Sequence, residues 1–368
     1  MGKPGGSSGG GKLFKGTSGN DTFHVASLDE LKTSTYDGLA GTDTLDLRAL
    51  TTGLSISLVA EQSFKNSPSA LWPDYSFTGF FTDHSLTNIP GQLSGTISNV
   101  ERVIGTSGGD HIALGNSGYG DGGPGNDYVV GGFVVGGLGS DYLDGTGPSY
   151  GAPAGSTEVL VGGTYVNGVA TGDNATDWFE INGGPAVILD FEVGIDKLVL
   201  PNSTGDPSAI ANAVWQPTTY NGAPSSVLSV NGQVITLAGI TPDVANTIKV
   251  GQGFYNRSVA TVTSGPGDDI IWPSTGPTQL VFGHASGNDI ITHFTIADDQ
   301  LNFTGGAPSG WSNVSVNGEQ AIQGYYDNGS SSVTILGLTT ADVSHLLIQS
   351  SGAAAVSQQV MSDYAMLF

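Results

Sequence analysis

Short apolar runs, broken by polar and glycine-rich turns, extend along most of the chain. Apolar and polar residues alternate in TLDLRAL (44–50), LSISLVA (54–60), SVLSVNGQVITL (226–237) and NVSVNGEQAI (313–322). A period of two is typical of a half-buried strand, and Asn231-Gly232 between two such runs predicts a type I′ hairpin. Helical patterns are confined to 208–214, 241–248 and 340–347. The pattern predicts an all-β protein of short strands.

One motif recurs along the chain: a glycine-rich turn, an aspartate and a short apolar strand. It occurs as GTSGNDTFHV (16–25), GLAGTDTLDL (38–47), GTSGGDHIAL (105–114), GGPGNDYVV (122–130), GGLGSDYLD (136–144), SGPGDDIIW (264–272) and HASGNDIIT (284–292). A fixed unit of this kind is the signature of a repeat architecture in which coils stack on their neighbours. The repeats at 16–145 are interrupted by an aromatic-rich insertion at 62–90, which we interpret as a hydrophobic cap or an exposed contact surface.

A longer repeat overlaps this motif. VILDFEVGIDKLVL (187–200) aligns with IITHFTIADDQLNF (290–303), and VITLAGITPDV (234–244) aligns with SVTILGLTTADV (332–343). The alignment predicts two copies of one β-rich module, at 146–255 and 256–350. A flexible Gly/Ser-rich tail is predicted at 1–15 and a C-terminal tail at 351–368.

Composition narrows the possible functions. The 368 residues include 33 acidic and 10 basic residues, for a net charge of −23, and 58 glycines but no cysteine. So few cations cannot form the basic patches that bind phosphates, which excludes nucleic acid as a partner. The glycine content disfavours a helical bundle, and the lack of cysteine excludes disulfides and thiolate–metal sites. No apolar run is long enough for a transmembrane helix.

The repeated turns carry the chemistry of a cation site. Glycines permit close approach of neighbouring coils, so that turn carbonyls and the aspartate carboxylate face the same side. Such oxygen ligands suit Ca²⁺, whereas Mg²⁺ demands a tight octahedron and retains its water. The predicted ligands are Asp110, Asp127, Asp141, Asp21, Asp43, Asp121, Asp269, Asp289, Asp196 and Asp299. The alternative for each is an aspartate that only bonds the backbone of its own turn.

GGPGNDYVV and GGLGSDYLD resemble the nonapeptide of the RTX, or hemolysin-type calcium-binding, family, and DGLAGTDTLDL resembles segments that lead into such repeats. The resemblance implies a parallel β-roll or β-solenoid with calcium-binding turns, and export by type I secretion. The spacing departs from the family pattern between Asp127 and Asp141, and Asp121 falls one place late. We therefore expect a few dispersed Ca²⁺ sites.

An enzyme is the least favoured interpretation. Gly105-Thr106-Ser107-Gly108-Gly109 satisfies the G-x-S-x-G pattern of a nucleophile elbow. The sequence predicts neither a buried parallel strand before Ser107 nor a helix after it, and the similar turn at Ser18 does not complete the pattern. No H-E-x-x-H zinc motif occurs either. We expect no catalytic activity.

The chain ends point to export. MGKPGGSSGGGK lacks the apolar run of a Sec signal, and SDYAMLF resembles the C-terminal signal of type I secreted proteins. Together with the repeats, they predict a secreted structural protein that folds and self-assembles on Ca²⁺ into a surface layer (S-layer), a biofilm matrix or a filament. The alternative is an adhesin or polysaccharide-binding module, with a cell-surface polysaccharide as partner, and a hydrolase using Ser107 ranks below both.

Overall fold

The computed structural model describes residues 11–58, 70–72, 97–114, 118–145, 156–181, 184–201, 210, 212–254, 260–273, 276–316 and 319–350. Nearly all regular structure in these ranges is strand, which confirms the prediction of an all-β protein. No helix in the same ranges has the length and apolar character needed to cross a membrane.

The strands are short throughout. The first half contains β1 (Leu13–Lys15), β2 (Thr22–His24), β3 (Thr35–Asp37), β4 (Thr44–Asp46), β5 (Ser55–Ser57), β6 (Ala70–Trp72), β7 (Ile97–Ser98), β8 (Arg102–Ile104), β9 (His111–Ala113), β10 (Tyr119–Pro124), β11 (Tyr128–Gly131), β12 (Phe133–Leu138), β13 (Tyr142–Gly145), β14 (Glu158–Val161), β15 (Thr164–Val166) and β16 (Val169–Thr171).

The second half continues in the same manner. It contains β17 (Trp178–Ile181), β18 (Pro185–Ile188), β19 (Lys197–Pro201), β20 (Gln216–Tyr220), β21 (Ala223–Val230), β22 (Gln233–Leu237), β23 (Gly251–Phe254), β24 (Thr261–Thr263), β25 (Ile270–Ile271), β26 (Gln279–Phe282), β27 (Asn288–Ile291), β28 (Gln300–Phe303), β29 (Trp311–Val316), β30 (Glu319–Tyr326), β31 (Ser331–Leu336) and β32 (Leu347–Ser350). The described helices include α1 (Leu28–Thr33) and α2 (Pro242–Ala245), with 3₁₀ turns at Asp327–Gly329 and Val343–His345.

The chain divides into two compact units. Among the described residues, unit 1 comprises those at 11–177 and 184–195, and unit 2 comprises those at 178–181 and 196–350. The module boundary predicted at residue 146 lies inside unit 1, because β14 extends the sheet that contains β12.

Unit 1 consists of stacked parallel strands. One sheet has the order β2-β4-β8-β10-β12-β14-β18, with parallel pairing throughout. A second has the parallel order β5-β9-β11-β13, with β6 antiparallel to β5, and β1-β3-β7 form a third. From β8 to β14 successive strands alternate between the first two sheets, so each glycine-rich turn carries the chain from one sheet to the other.

The core of unit 1 is a thin layer between these two sheets. Alternation along each strand places one apolar side chain inward, and the inward row of the second sheet consists of the fully buried Ile56, Ile112, Val129 and Leu143. Across the layer, a methyl group added to Gly120 would lie 2.7 Å from Val129 Cγ1. The two sheets therefore approach so closely that only glycine fits at position 120.

Unit 2 combines parallel stacks with two antiparallel meanders. Its parallel orders are β17-β19-β23-β25-β27-β31 and β24-β26-β28-β32, while β20-β21-β22 and β29-β30-β31 pair antiparallel. The stacked rings of Phe282 and Phe303, with centroids 5.2 Å apart, lie in its apolar core. Both predicted modules run through an antiparallel meander into a helical turn, at α2 and at Val343–His345.

The structure tests the predicted hairpin and the predicted helices. Asn231 and Gly232 both have positive φ (50° and 81°) and join β21 to β22 in a two-residue hairpin, as predicted. The candidate helices at 241–248 and 340–347 shrink to α2 and one 3₁₀ turn. Of the candidate at 208–214, residues 208, 209 and 211 lie outside the described residues.

One predicted boundary and one missed helix at the N-terminal end need correction. The tail predicted at 1–15 is too long, because Leu13–Lys15 pairs in parallel with β3 and Phe14 stacks on Tyr36 at 5.0 Å. Helix α1 was not predicted, although Ser27 and Glu30 form the S-x-x-E signature and Ser27 Oγ accepts the Glu30 N–H at 3.2 Å. Apart from β6, the insertion at 62–90 lies outside the described residues, as does the C-terminal tail.

Candidate functional site

The motif aspartates precede the strands, where each carboxylate joins two successive coils. Asp127 Oδ1 accepts the backbone N–H of Asp110 at 2.7 Å, and Asp141 Oδ1 accepts that of Asp127 at 2.8 Å. Asp110 Oδ1 accepts the N–H of Leu54 at 2.6 Å. Asp110, Asp127 and Asp141 therefore form one line, which we call the unit 1 aspartate row, at the start of β9, β11 and β13.

A second line of acids begins the strands of the other sheet of unit 1. Asp43 Oδ1 accepts the N–H of Asp21 at 2.8 Å, and Glu101 Oε2 accepts the N–H of Asp43 at 2.9 Å. Asp21 also closes its own turn, because its Oδ2 accepts the N–H of Thr17 at 2.6 Å. Asp21 and Asp43 thus lie together, in a row separate from Asp110.

Asp110 fits the alternative to metal binding, because its carboxylate closes its own turn by hydrogen bonds. Its Oδ2 accepts the backbone N–H of Thr106 at 2.6 Å and the Thr106 hydroxyl at 3.0 Å. With Oδ1 bonded to Leu54, both carboxylate oxygens have protein donors. Burial raises the pKa of Asp110 to about 7, while these hydrogen bonds oppose the rise.

Asp127 and Asp141 differ from Asp110. Their Oδ2 atoms are fully buried and have no hydrogen-bond partner. Burial, together with repulsion from Asp110, raises the pKa of Asp127 to about 9. Burial and the neighbouring Asp127 and Asp177 raise the pKa of Asp141 well above its usual range. Both groups therefore favour a proton or a cation over an isolated negative charge.

A glycine five residues before each of these aspartates leaves space beside the unpaired oxygen. A methyl group added to Gly122 would clash with Asp127 Oδ2 and with the carbonyl oxygen of Gly136. One added to Gly136 would clash with Asp141 Oδ2 and with the carbonyl oxygen of Gly162. Each position, here termed a glycine cradle, therefore brings a carboxylate oxygen and a carbonyl oxygen of the next coil together.

The donor set of the cradles fits a hard cation. Within the described ranges no group of three or more His, Cys, Asp or Glu side chains is placed to hold a metal ion. A cation there would need backbone carbonyls among its ligands, and the cradles supply them. Ca²⁺ accepts mixed carboxylate and carbonyl ligands in flexible geometry, whereas Mg²⁺ prefers a regular octahedron with retained water.

Unit 2 contains a comparable pair, Asp269 and Asp289, in which every carboxylate oxygen has a donor. Asp269 accepts the N–H groups of Gln252 at 2.7 Å and Gly265 at 2.6 Å, and Asp289 Oδ1 accepts the Asp269 N–H at 3.0 Å. Ser264, five residues before Asp269, donates its hydroxyl to Asp289 Oδ2 at 2.7 Å. Serine thus stands where the unit 1 turns have glycine.

Three predicted ligands remain, namely Asp299, Asp196 and Asp121. Asp299 Oδ1 accepts the N–H of Thr278 at 3.1 Å and its Oδ2 that of Thr295 at 2.8 Å, as a turn-closing residue does. Asp196 is buried at the start of β19. Asp121 lies within β10, where its Oδ2 accepts the Tyr119 hydroxyl at 3.5 Å.

Two acids of the rows were missed in the sequence. Asp177 is buried and its Oδ1 accepts the N–H of Asp141 at 2.9 Å, which extends the unit 1 aspartate row. The signal was present, because Gly172 precedes Asp177 by the same five residues that separate Gly136 from Asp141. Glu101 follows no glycine-rich turn, so its place in the other row emerged only from strand pairing.

Ser107 lies exposed in the turn between β8 and β9, and its N–H donates to the Leu50 carbonyl at 3.2 Å. The expectation that no buried parallel strand precedes it was wrong, since β8 is parallel and Val103 is fully buried. A strand, β9, follows the turn, whereas a nucleophile elbow leads into a helix.

An aromatic row runs across the outward side of the first sheet of unit 1. Arg102, Tyr119 and Phe133 are register partners on β8, β10 and β12, with the guanidinium 4.1 Å from the Tyr119 ring centre. The Tyr119 and Phe133 ring centres are 5.1 Å apart, and Tyr165 packs on Phe133 at 4.9 Å. All four side chains are partly exposed.

No protein-family model matches the chain, and no curated protein matches it. The resemblance to RTX proteins therefore rests on the motif residues alone.

Proposed function

We propose that the protein is a secreted calcium-binding structural protein whose unit 1 aspartate row takes up Ca²⁺. The observation that carries this proposal is the pair of buried, unpaired oxygens, Asp127 Oδ2 and Asp141 Oδ2, beside glycine cradles that supply carbonyl oxygens. Leaving a buried acceptor without a partner costs about 1–3 kcal/mol, and more if it is charged. A bound cation removes that cost at both positions.

The strand arrangement supports a β-roll of the RTX type. Successive strands from β8 to β14 alternate between two parallel sheets, and the repeated turns lie between them. Each coil contributes only part of a cradle: Asp127 comes from one turn and the Gly136 carbonyl from the next. Ca²⁺ therefore binds stacked coils and not the unfolded chain, so its binding energy adds to the stability of the fold.

Folding coupled to Ca²⁺ suits a protein that is exported unfolded and folds outside the cell. At a net charge of −23 the Ca²⁺-free chain repels itself, and cations neutralise and bridge carboxylates. We propose that the folded protein assembles with its own copies into a surface layer, matrix or filament.

Calcium titration of the purified full chain tests this proposal. In EDTA we expect lower thermal stability than in millimolar Ca²⁺, and Mg²⁺ at the same concentration should not replace Ca²⁺. Circular dichroism and calorimetry measure the change, and electron microscopy with light scattering measures assembly. Equal melting temperatures in EDTA and Ca²⁺ would contradict the calcium site. A monomer at high protein concentration in saturating Ca²⁺ would contradict only the structural role.

A second candidate function, polysaccharide binding, is favoured by the aromatic row. Partly exposed aromatic rings offer apolar faces to sugar rings, and the Arg102 guanidinium offers donors to hydroxyl groups. Affinity electrophoresis in gels containing soluble polysaccharides tests it. Tyr165→Ala should lose retardation, whereas Tyr325→Ala, at a tyrosine 56% exposed in unit 2, should keep it. Equal mobility of both variants and the unmodified chain would contradict this function.

A further inference from the structure

A cavity of about 290 Å³ lies in unit 2 where three strands meet. Thr292 follows the last residue of β27, Leu336 ends β31, and Glu319 begins β30. The pairing of Ile291 with Ile335 and of Ala321 with Leu336 brings these strand ends together. Strand register therefore brings Thr292, Glu319 and Leu336 to one side of the cavity.

Two polar atoms of this wall have no partner. Glu319 Oε2 and Thr292 Oγ1 are both buried without a hydrogen bond. Burial raises the pKa of Glu319 above its usual value. Unsatisfied buried polar groups are rare in folded proteins, and two in one cavity indicate an absent hydrogen-bonding partner.

Apart from His293, the rest of the wall is apolar. Phe294 and Leu336 are 9% and 6% exposed, and Leu338 lies beside them. His293 lines the cavity too, and its ring stacks on Trp272 with centroids 4.4 Å apart and planes at 11°. The cavity therefore has a polar end formed by Glu319 and Thr292, and an apolar wall.

We propose that this cavity binds a primary alkylammonium ion. The ammonium group donates to Glu319 Oε2 and Thr292 Oγ1, and the alkyl chain packs on Phe294, Leu336 and Leu338. An ammonium group has donors and no acceptor, which matches two unpaired acceptor atoms. The net charge of −23 raises the local concentration of cations. A divalent metal fits less well, since only one carboxylate lines the cavity. The proposal does not depend on Ca²⁺ binding at the unit 1 aspartate row.

Ligand-observed NMR titration of the full chain in Ca²⁺ tests the site, with n-butylammonium chloride as the probe. We expect a dissociation constant on the order of 1 mM, as is reasonable for five heavy atoms. The neutral n-butanol, of equal length, should bind about tenfold more weakly because it lacks the charge. This comparison needs no variant. Equal binding of the two probes, or no saturable binding of either, would overturn the proposal.

Variants locate the binding. Glu319→Gln should weaken n-butylammonium binding about tenfold and Thr292→Val a few-fold. The control is Asp243→Asn, because Asp243 is an exposed acid of unit 2 that lies outside the cavity, and its lowered pKa keeps it charged. It should leave the dissociation constant unchanged. Equal weakening in Asp243→Asn and Glu319→Gln would mean that general electrostatics attracts the probe and that the cavity does not hold it.

Discussion

The motif aspartates of the two units make the same hydrogen bond between coils but differ in whether their second carboxylate oxygen has a donor. In both units a carboxylate accepts the backbone N–H of an aspartate one coil away, as Asp141 does from Asp127 and Asp289 from Asp269. In unit 2 the Ser264 hydroxyl completes Asp289, whereas Gly136 leaves Asp141 Oδ2 unpaired. The protein thus closes Asp289 with a serine hydroxyl, whereas Asp127 and Asp141 have no donor at Oδ2 and stay open to a cation.

Filling a glycine cradle with a methyl group should cause the largest loss in the free energy of unfolding. Gly136→Ala places a methyl group against Asp141 Oδ2 and the Gly162 carbonyl oxygen, both held by the fold. We expect a loss of about 3 kcal/mol in the free energy of unfolding, measured by denaturant titration in Ca²⁺. The control is Gly310→Ala, where an added methyl group meets nothing within 4 Å. It should change stability by less than about 0.5 kcal/mol. Similar losses in both variants would contradict the close contact of Gly136 with the two oxygens.

Neutralising Asp141 in unit 1 and Asp269 in unit 2 should change stability differently in EDTA. In Asp141→Asn the remaining oxygen still accepts the Asp127 N–H, and the amide is neutral beside the Gly162 carbonyl. We expect unchanged or higher stability in EDTA. In Ca²⁺ the variant should lose its share of the calcium-dependent stabilisation, which is about 2.7 kcal/mol for one site at a hundred times its Kd.

Asp269→Asn is the counterpart in unit 2. Both Asp269 oxygens accept backbone N–H groups, from Gln252 and Gly265, and an amide accepts through only one oxygen. The variant should lose about 1–3 kcal/mol in EDTA and in Ca²⁺ alike. Melting curves of both variants in both buffers make the test. A calcium-dependent loss at Asp269, or none at Asp141, would remove the distinction between the rows.

Glu158 offers a pH test that does not involve either row. Burial raises the pKa of Glu158 from 4.5 to about 8, and its two oxygens have no hydrogen-bond partner. Between these two pH values the folded state keeps the Glu158 proton, whereas the unfolded chain releases it. The contribution of protonated Glu158 to the free energy of unfolding is therefore complete below about pH 4.5 and is lost as the pH rises through about 8. Stability should fall by about 1.4 kcal/mol per pH unit within this window.

Glu158→Gln removes the ionisable group and should remove this part of the slope. Urea unfolding between pH 5 and pH 8 in saturating Ca²⁺ measures the difference between the variant and the unmodified chain. Parallel stability–pH curves would contradict the raised pKa.

The smallest expected effect concerns Ser264. Ser264→Ala leaves Asp289 Oδ2 without its hydroxyl donor and should cost about 1 kcal/mol. Ser264→Gly goes further, because it recreates the glycine of the unit 1 turns beside an unpaired carboxylate oxygen. It should make the melting temperature of unit 2 depend on Ca²⁺, as scanning calorimetry measures. If Ser264→Gly stays insensitive to Ca²⁺, the glycine cradle is not sufficient to create a site.

The sequence by itself determined the β class, the hairpin at Asn231-Gly232 and the positions of the motif aspartates. These features are local: strand alternation, turn residues and the glycine five positions before each aspartate act within a few residues. Helix α1 also depends on a local signal, the S-x-x-E motif of Ser27 and Glu30, and could have been predicted from it. The glycine before Asp177 repeats the same spacing and was overlooked.

Only the tertiary structure decided which acids share a row and which oxygens lack a partner. Asp43 meets Glu101 across 58 positions of sequence, and Asp127 meets Asp141 through strand pairing between coils. Whether a carboxylate is closed or open depends on the donor that the next coil presents, such as Ser264 for Asp289. The cavity at Glu319 likewise exists because three strand ends converge there. Such contacts depend on the register between distant strands, and a local pattern does not contain that register.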